Sequence, residues 1–251
     1  MTAMQKINNV QYLYDRNVDI ELILCIDSEI SYPVHNHVSV LTIGLVLRGS
    51  ILLTAGEDHY TCRKDGSFTI LPYVPHSIEA QGPYSLLTLC ISKNIISNYS
   101  KGEIKNNICH LLAAASELEL TEAQTFQLLH RLDSLNNPSL SHPVEPFIDS
   151  AKTQMERCPE TKLSIDEMAR SLHISKYHFI RRFKQAVGLT PHQFQIQNRV
   201  RKAQHMLNDV ASIAEVALIA GFCDQSHFVR YFERYVGLTP TVYRLSCKPL
   251  P

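Results

Sequence analysis

The chain has 251 residues, 45% of them hydrophobic and 19% charged, with 24 basic and 24 acidic side chains. That composition excludes a disordered chain and allows two separate cores. The longest largely apolar run, Leu41 to Leu47, is too short to span a bilayer, and residues 1–19 lack the apolar stretch of a secretion signal. Seven cysteines, an odd number without a CxxC pair, argue against an extracellular disulfide framework, so a cytoplasmic protein with no membrane partner is expected. The zero net charge hides an asymmetry. Residues 159–251 hold 13 Lys+Arg against 7 Asp+Glu, a net +6, whereas residues 1–158 hold 11 against 17, a net −6. A basic half beside an acidic half points to one half meeting a polyanion.

In the amino-terminal part, short β-branched and apolar runs follow one another: DIELILCID, SVLTIGLVLRG, SILLTAG, SFTILP and YSLLTLCIS. Turn residues separate them, among them Gly49, the Ala55-Gly56-Glu57-Asp58 group, Asp65-Gly66, Pro72 and Gln81-Gly82-Pro83. This rhythm predicts an antiparallel sandwich or barrel over residues 1–92. Within it stand His35-Asn36-His37 and, after LPYVP, His76. The segment resembles the cupin jelly roll. In the metal-binding members of that fold a Glu follows the second His by five residues, and here that place is Thr42, with Glu29 at the usual upstream Gly. The ligand set the resemblance implies is therefore incomplete, yet His35, His37 and His76 can form a three-nitrogen face for a transition ion such as nickel, cobalt, zinc or manganese. The alternative is a structural His pair at a sheet edge. His59 and Cys62 sit on a neighbouring hairpin, either supplementing the set or serving as a turn His and a buried Cys. Arg48, ending an apolar run, meets either an anionic effector or a surface carboxylate.

Residues 93–158 turn helical and are expected to form a linker and dimerisation region. Thr121 and Gln124 read as a capping box, followed by Phe126, Leu128, Leu129, Leu132 and Leu135. These leucines exceed what one surface helix needs, which favours a homodimer contact over packing on the barrel. Asn136-Asn137-Pro138 breaks the helix, SHPVEP reads as a short linker, and a further helix runs from Phe147 to Arg157.

The carboxyl-terminal region, 159–251, contains an internal repeat. HFIRRFKQAVGLTP (178–191) recurs as HFVRYFERYVGLTP (227–240), nine of fourteen positions being identical at an offset of 49. Upstream, SIDEMARSL (164–172) matches SIAEVALIA (212–220), and the second copy has one extra residue in its turn. Each copy predicts helix, turn, helix. Ser164 and Glu167 form a capping-box pattern, and Ile165, Met168, Ala169 and Leu172 mark one apolar face. HisIleSer (173–175) makes the turn with Ser175 as the next cap, and Phe179 and Phe183 face the core. Gly188 and Thr190-Pro191 end the unit, matched in the second copy by Gly237 and Thr239-Pro240. With the Phe pair inside, Lys176, Tyr177, Ile180, Arg181 and Lys184 share the outer stripe of the first copy. Gln225, Ser226, Val229, Arg230 and Glu233 take it in the second. An Arg at the middle of each stripe suits guanine in the major groove. Between the copies, residues 195–207 predict one helix with Val200, Ala203, Met206 and Leu207 inside and Arg199, Arg201 and Lys202 exposed. Such a helix would fix the spacing of the two recognition helices, and about 34 Å would place both in successive major grooves.

The block from Leu163 to Arg244 resembles the DNA-binding domain of AraC/XylS-type transcription regulators, most specifically in IAEVALIAGFCDQSHFVRYFERYVGLTPTVYR. The resemblance implies double-stranded DNA as partner, with base contacts from Tyr177, Ile180, Arg181, Gln225, Ser226, Val229 and Arg230. It also implies a transcription activator with an amino-terminal effector domain, working with RNA polymerase. The expected architecture is thus α+β in two domains, a cupin-like antiparallel barrel and an all-α domain with two helix-turn-helix units. The expected effector residues are His35, His37, Arg48 and His76. A metal-responsive regulator is the alternative. A cupin enzyme with an appended DNA domain is remote, since Thr42 breaks the ligand pattern. Other enzyme signatures are missing: Gly44 to Gly49 has P-loop glycine spacing but Ser50 where Lys is required, and no HExxH or GxSxG occurs.

Overall fold

The turn residues read from the sequence separate strands that distribute over two sheets rather than one closed barrel. The computed structural model describes residues 10–15, 20–37, 40–56, 58–115, 120–133, 145–207, 209–210 and 212–249. Two units result, residues 1–138 with 245–251 and residues 139–244.

In the first unit, β1 (Val10–Asp15), β2 (Ile20–Ser28), β4 (Val40–Arg48), β7 (Ser67–Ile70), β9 (Tyr84–Ser92) and β10 (Cys247–Pro249) form a six-stranded sheet in the order β10-β1-β2-β9-β4-β7. All its pairs are antiparallel except β1–β10. A second, antiparallel sheet has the order β3-β8-β5-β6, from β3 (Tyr32–His35), β5 (Ser50–Ala55), β6 (Asp58–Arg63) and β8 (His76–Ala80). The expected barrel is corrected accordingly: the antiparallel class holds, and each sheet keeps open edges. Gly49 makes the turn from β4 to β5 at φ +72°, where a Cβ would lie 2.4 Å from the Pro83 carbonyl oxygen. Only glycine fits that corner.

Strand β4 is buried from Val40 to Val46, so it reads as a continuous apolar run instead of an alternating one. Leu41, Ile43 and Leu45 on one face join Leu22, Leu24, Leu87, Leu89 and Ile91 in a core cluster. The cluster is completed by Ile95 of α1 (Lys93–Asn98), by Ile104, Ile108 and Leu111 of α2 (Lys101–Ala114), and by Leu128 and Leu132 of α3 (Glu122–Asp133). The capping box expected at the start of α3 is present: Thr121 N–H donates to Gln124 Oε1 (3.0 Å) and Gln124 N–H to Thr121 Oγ1 (3.2 Å). The leucines assigned to a dimer contact find a different partner. Leu128 and Leu132 are 0% and 4% exposed against the sheet, with Leu129 packed on the same cluster, while Phe126 stays outside. Arg131 Nε donates to Ser67 Oγ (2.9 Å) and Gln124 Nε2 to Asp65 Oδ1 (2.8 Å), tying α3 to the β6–β7 turn. Leu135, the Asn136-Asn137-Pro138 break and residues 141–144 of the expected linker lie outside the described residues.

The second unit begins earlier than the boundary expected at residue 159. Helix α4 (Pro146–Arg157) buries Ile148, Ala151 and Met155 within it. Glu145, its N-cap, accepts from Arg182 Nη1 at 2.8 Å, and Phe147 meets Phe179 at a centroid distance of 6.2 Å. Region 93–158 is therefore split: α1–α3 belong with the sheets and α4 with the helical unit. The remaining helices are α5 (Ile165–Ser171), α6 (Lys176–Val187), α7 (Pro191–Met206), α8 (Ile213–Ile219), α9 (Gln225–Val236) and α10 (Pro240–Ser246). Helix α7 buries Phe194, Ile196, Gln197, Asn198, Val200 and Ala203, more than one apolar stripe, because α4, α6, α8 and α9 all pack on it. Its cations are corrected too. Arg199, Arg201 and Lys202 are half-buried, not exposed. Arg199 Nε donates to the Pro159 carbonyl at 2.7 Å, and Lys202 pairs with Glu160 at 2.8 Å.

Candidate nucleic-acid interface and ligand site

The two helix-turn-helix units use the same local devices. Ser164 accepts from Glu167 N–H and Ser212 from Glu215 N–H, capping the first helix of each. Ser175 accepts from His178 N–H at 3.2 Å and Asp224 from His227 N–H at 2.7 Å, capping α6 and α9. Asp224 stands three residues before His227 as Ser175 stands three before His178, and it is the one cap that the sequence did not announce. Phe179, Phe183, Phe228 and Phe232 are all fully buried, which fixes the rotation of both helices. Each such ring contributes roughly 1.5–3 kcal/mol by leaving water.

The opposite faces carry the residues expected to meet DNA. On α6, Lys176, Tyr177, Arg181 and Lys184 are exposed, Tyr177 at 84%, and Ile180 is half-buried. On α9, Gln225, Ser226 and Arg230 are exposed and Val229 is half-buried. Lys176 Nζ is held by Asp166 Oδ2 at 2.9 Å, a contact the sequence did not announce. The Arg230 guanidinium lies 5.4 Å from the Tyr231 ring centroid, which restricts its side chain. The geometry offers two capped helix starts, each with an exposed arginine one turn in.

In the first unit, the strand pairing β3–β8 sets His35 directly opposite His76. His37 follows, and the ligand nitrogens of all three lie within 4.8 Å of one another. The ring centroids of His35 and His76 are 4.2 Å apart, with His37 at 5.2 and 5.0 Å from them. His35 Nδ1 donates to the Pro33 carbonyl at 2.8 Å and His76 Nδ1 to the Val74 carbonyl at 3.0 Å. A carbonyl only accepts, so each Nδ1 carries the proton and each Nε2 keeps its lone pair. Burial holds the His35 imidazole below its usual range; burial and the neighbouring His35 push His76 down to about 3. Both rings are neutral, the state that ligates metals. The LPYVPH loop is stitched beneath them: Tyr73 N–H donates to the His37 carbonyl (2.9 Å) and Asn36 Nδ2 to the Tyr73 carbonyl (3.4 Å), with Tyr73 at φ +66°.

Other residues singled out from the sequence lie elsewhere. Arg48, at the far end of β4, pairs with Asp27 at 2.9 Å with both side chains exposed, which is the surface-carboxylate arrangement. His59 Nδ1 bonds Thr54 Oγ1 at 3.0 Å on an exposed hairpin, and Cys62 is half-buried; neither joins the imidazole group. Thr42 is buried beside Cys90, with Oγ1 to Sγ at 4.0 Å.

The AraC-like ligand binding domain matches this chain over residues 17–153, and a helix-turn-helix domain matches residues 168–246. The chain belongs to the AraC family of transcription regulators. It pairs that family's DNA-binding module with its effector-binding module, and the relatives found are regulators, not enzymes. It is similar to the transcriptional regulator MtrA of Neisseria gonorrhoeae, 31% identical over 113 residues, 45% of this chain and 35% of MtrA. The chain thus spans about a third of MtrA's length. It is 24% identical over 220 residues to the probable transcriptional regulator LumQ of Photobacterium leiognathi, covering 80% of this chain and 86% of LumQ. The crystal structure of ToxT from Vibrio cholerae O395 shares the fold over 91% of this AraC-type chain and 97% of its own, with a TM-score of 0.58 at 10% identity. No helix among the described residues is long and apolar enough to cross a membrane.

Proposed function

We propose that the chain binds double-stranded DNA sequence-specifically through α6 and α9 and adjusts that binding when a small effector occupies the amino-terminal domain. The observation that carries this reading is the duplicated capped helix with an outward arginine, Arg181 and Arg230, in a chain that also contains the ligand-binding module. Coupling requires the effector to favour one of two arrangements of the protein. Selection from a random duplex pool tests the DNA half. An enriched site with two half-elements about 10–10.5 bp apart is expected; recovery without any enriched sequence would end the reading. Transcription activation, contact with RNA polymerase and a homodimeric state rest on the family alone, and transcription from the selected site and sedimentation test them.

A second reading concerns the signal. The convergence of His35, His37 and His76 favours a transition ion as part of it. Three imidazoles suit nickel, cobalt and zinc, and manganese least, by ligand softness and the usual order of divalent affinities. Three nitrogens around a tetrahedral ion lie about 3.3 Å apart, given metal–nitrogen bonds of about 2.0–2.1 Å, so small ring rotations complete the site. Calorimetric titration with each metal, against the His35→Ala/His37→Ala double variant, is expected to give one tight site lost in the variant. Silence from all four metals would make the cluster structural.

A further inference from the structure

We propose that a divalent transition ion on His35, His37 and His76 anchors an anionic small molecule, so that the effector of the amino-terminal domain is a carboxylate bound through the metal. The proposal rests on the metal reading above and takes it further by naming the ligand's chemistry.

Charge and coordination number together point to an anion. The three imidazole donors bring no negative charge, and two of them, His35 and His76, hold their Nδ1 protons on the carbonyls of Pro33 and Val74. An ion placed there brings two positive charges into a site whose surroundings are largely closed: His35, Asn36 and His76 are 9%, 0% and 2% exposed. Among the described residues, no Asp, Glu or Cys joins the group. The acidic side chains of the preceding segment lie in other settings: Glu29 is exposed and Asp27 is paired with Arg48. A doubly charged centre without a counter-ion is costly at such burial. Three protein ligands also leave a coordination position open, as in metal sites that exchange a ligand. One exogenous anion supplies both the missing ligand and the missing charge. His37, half-buried where its two partners are buried, gives the open side its route to solvent.

A carboxylate is the fitting class because a hard oxygen donor with a negative charge completes a borderline N3 set without displacing it. A neutral sugar or alcohol fills the position but leaves the charge in place. The anion's partner is the ion itself; metal and anion are therefore expected to bind in order.

The test uses the full chain and Co(II), whose visible absorption reports its coordination. The loaded protein is titrated with oxalate and acetate, with ethylene glycol as the neutral control, and the metal retained is counted by dialysis. One Co(II) per chain is expected, with a saturable spectral change for oxalate and acetate and none for the glycol. Oxalate is expected to bind the loaded protein at least tenfold more tightly than the apo protein. The variant His37→Glu, which brings its own carboxylate, is expected to retain Co(II) and lose at least tenfold in oxalate affinity. Absence of any Co(II) site would overturn the metal reading and this one together. A Co(II) site indifferent to anions, or one that oxalate merely strips, would overturn this proposal and leave the metal site standing. Equal oxalate affinity in the apo protein, or in His37→Glu, would also overturn it.

Discussion

His173 and Gly221 occupy the same left-handed corner of the two helix-turn-helix units, at φ +54° and +90°. Each donates its N–H to the carbonyl three residues back, Arg170 and Leu218, at 3.0 and 2.9 Å. The next residue, Ile174 or Phe222, bonds the carbonyl of Ala169 or Ala217 at 3.0 and 2.9 Å. The two turns are therefore one device built with different residues. A side chain at a left-handed position costs about 1–2 kcal/mol. His173→Gly should stabilise the helical unit by about 0.5–1 kcal/mol once glycine's entropy is offset. Gly221→Ala should do the reverse, and more strongly, because its Cβ would stand 2.5 Å from Glu160 Cα. A loss of about 2–4 kcal/mol is expected from conformation and overpacking together. Denaturant melts of both variants check the pair, and equal effects would disprove the equivalence.

Arg181 and Arg230 are exposed on corresponding faces, so each should read one position of the target. Arg181→Ala and Arg230→Ala are expected to weaken specific binding by about 1–3 kcal/mol each and to relax base preference at one position. Lys176→Ala should instead weaken binding to all sequences alike and lower the salt slope by about one, as for a phosphate contact. Binding isotherms at several salt concentrations separate the two behaviours. If neither arginine variant changed operator affinity, α6 and α9 would not be the reading helices.

Phe68 lies across Gly44 from the neighbouring strand, so close that a Cβ on Gly44 would meet the ring at 2.1 Å. Gly44→Ala must push a nearly buried ring out of the space it fills, with a cost of about 1–3 kcal/mol. Thermal unfolding of the variant should show the loss. Phe68→Leu in the same background should recover part of it, since a shorter side chain clears the new methyl.

Leu128 is fully buried on the six-stranded sheet. Leu128→Ala is expected to cost about 2–5 kcal/mol, as for other large-to-small changes in a core. Because the contact lies within one chain, that cost should not depend on protein concentration. A penalty that vanished on dilution would restore the dimer reading of α3.

The helical unit was legible because its information is local. Each copy of the repeat carries its caps, its Phe pair and its terminal glycine within about fifty residues, and α-helical hydrogen bonds join neighbours in sequence. Asp224 escaped although it holds the place of Ser175 at the same offset of 49, because an Asp there caps as a Ser does but breaks the identity of the two copies. Strand runs were legible for the same reason, from turn residues and β-branched content, but the choice of partner strand was not. Period-two patterning says which face is apolar and is silent on what covers it. Leu128 shows this, since its stripe fits a second chain or the sheet equally well, and only the folded packing places it in one cluster with the leucines of the sheet.

The sequence by itself determined that there are two helix-turn-helix units, where their reading faces lie, and that three histidines stand in an antiparallel β region. Tertiary structure alone decided that the β region is two sheets and that Arg48 and Arg199 spend their charge on Asp27 and on the Pro159 carbonyl. It alone decided that His35 and His76, forty-one positions apart, face each other with lone pairs free. The physical reason is that strand register and side-chain burial are set by long-range packing, whose free energy is shared among many residues and written in no single segment.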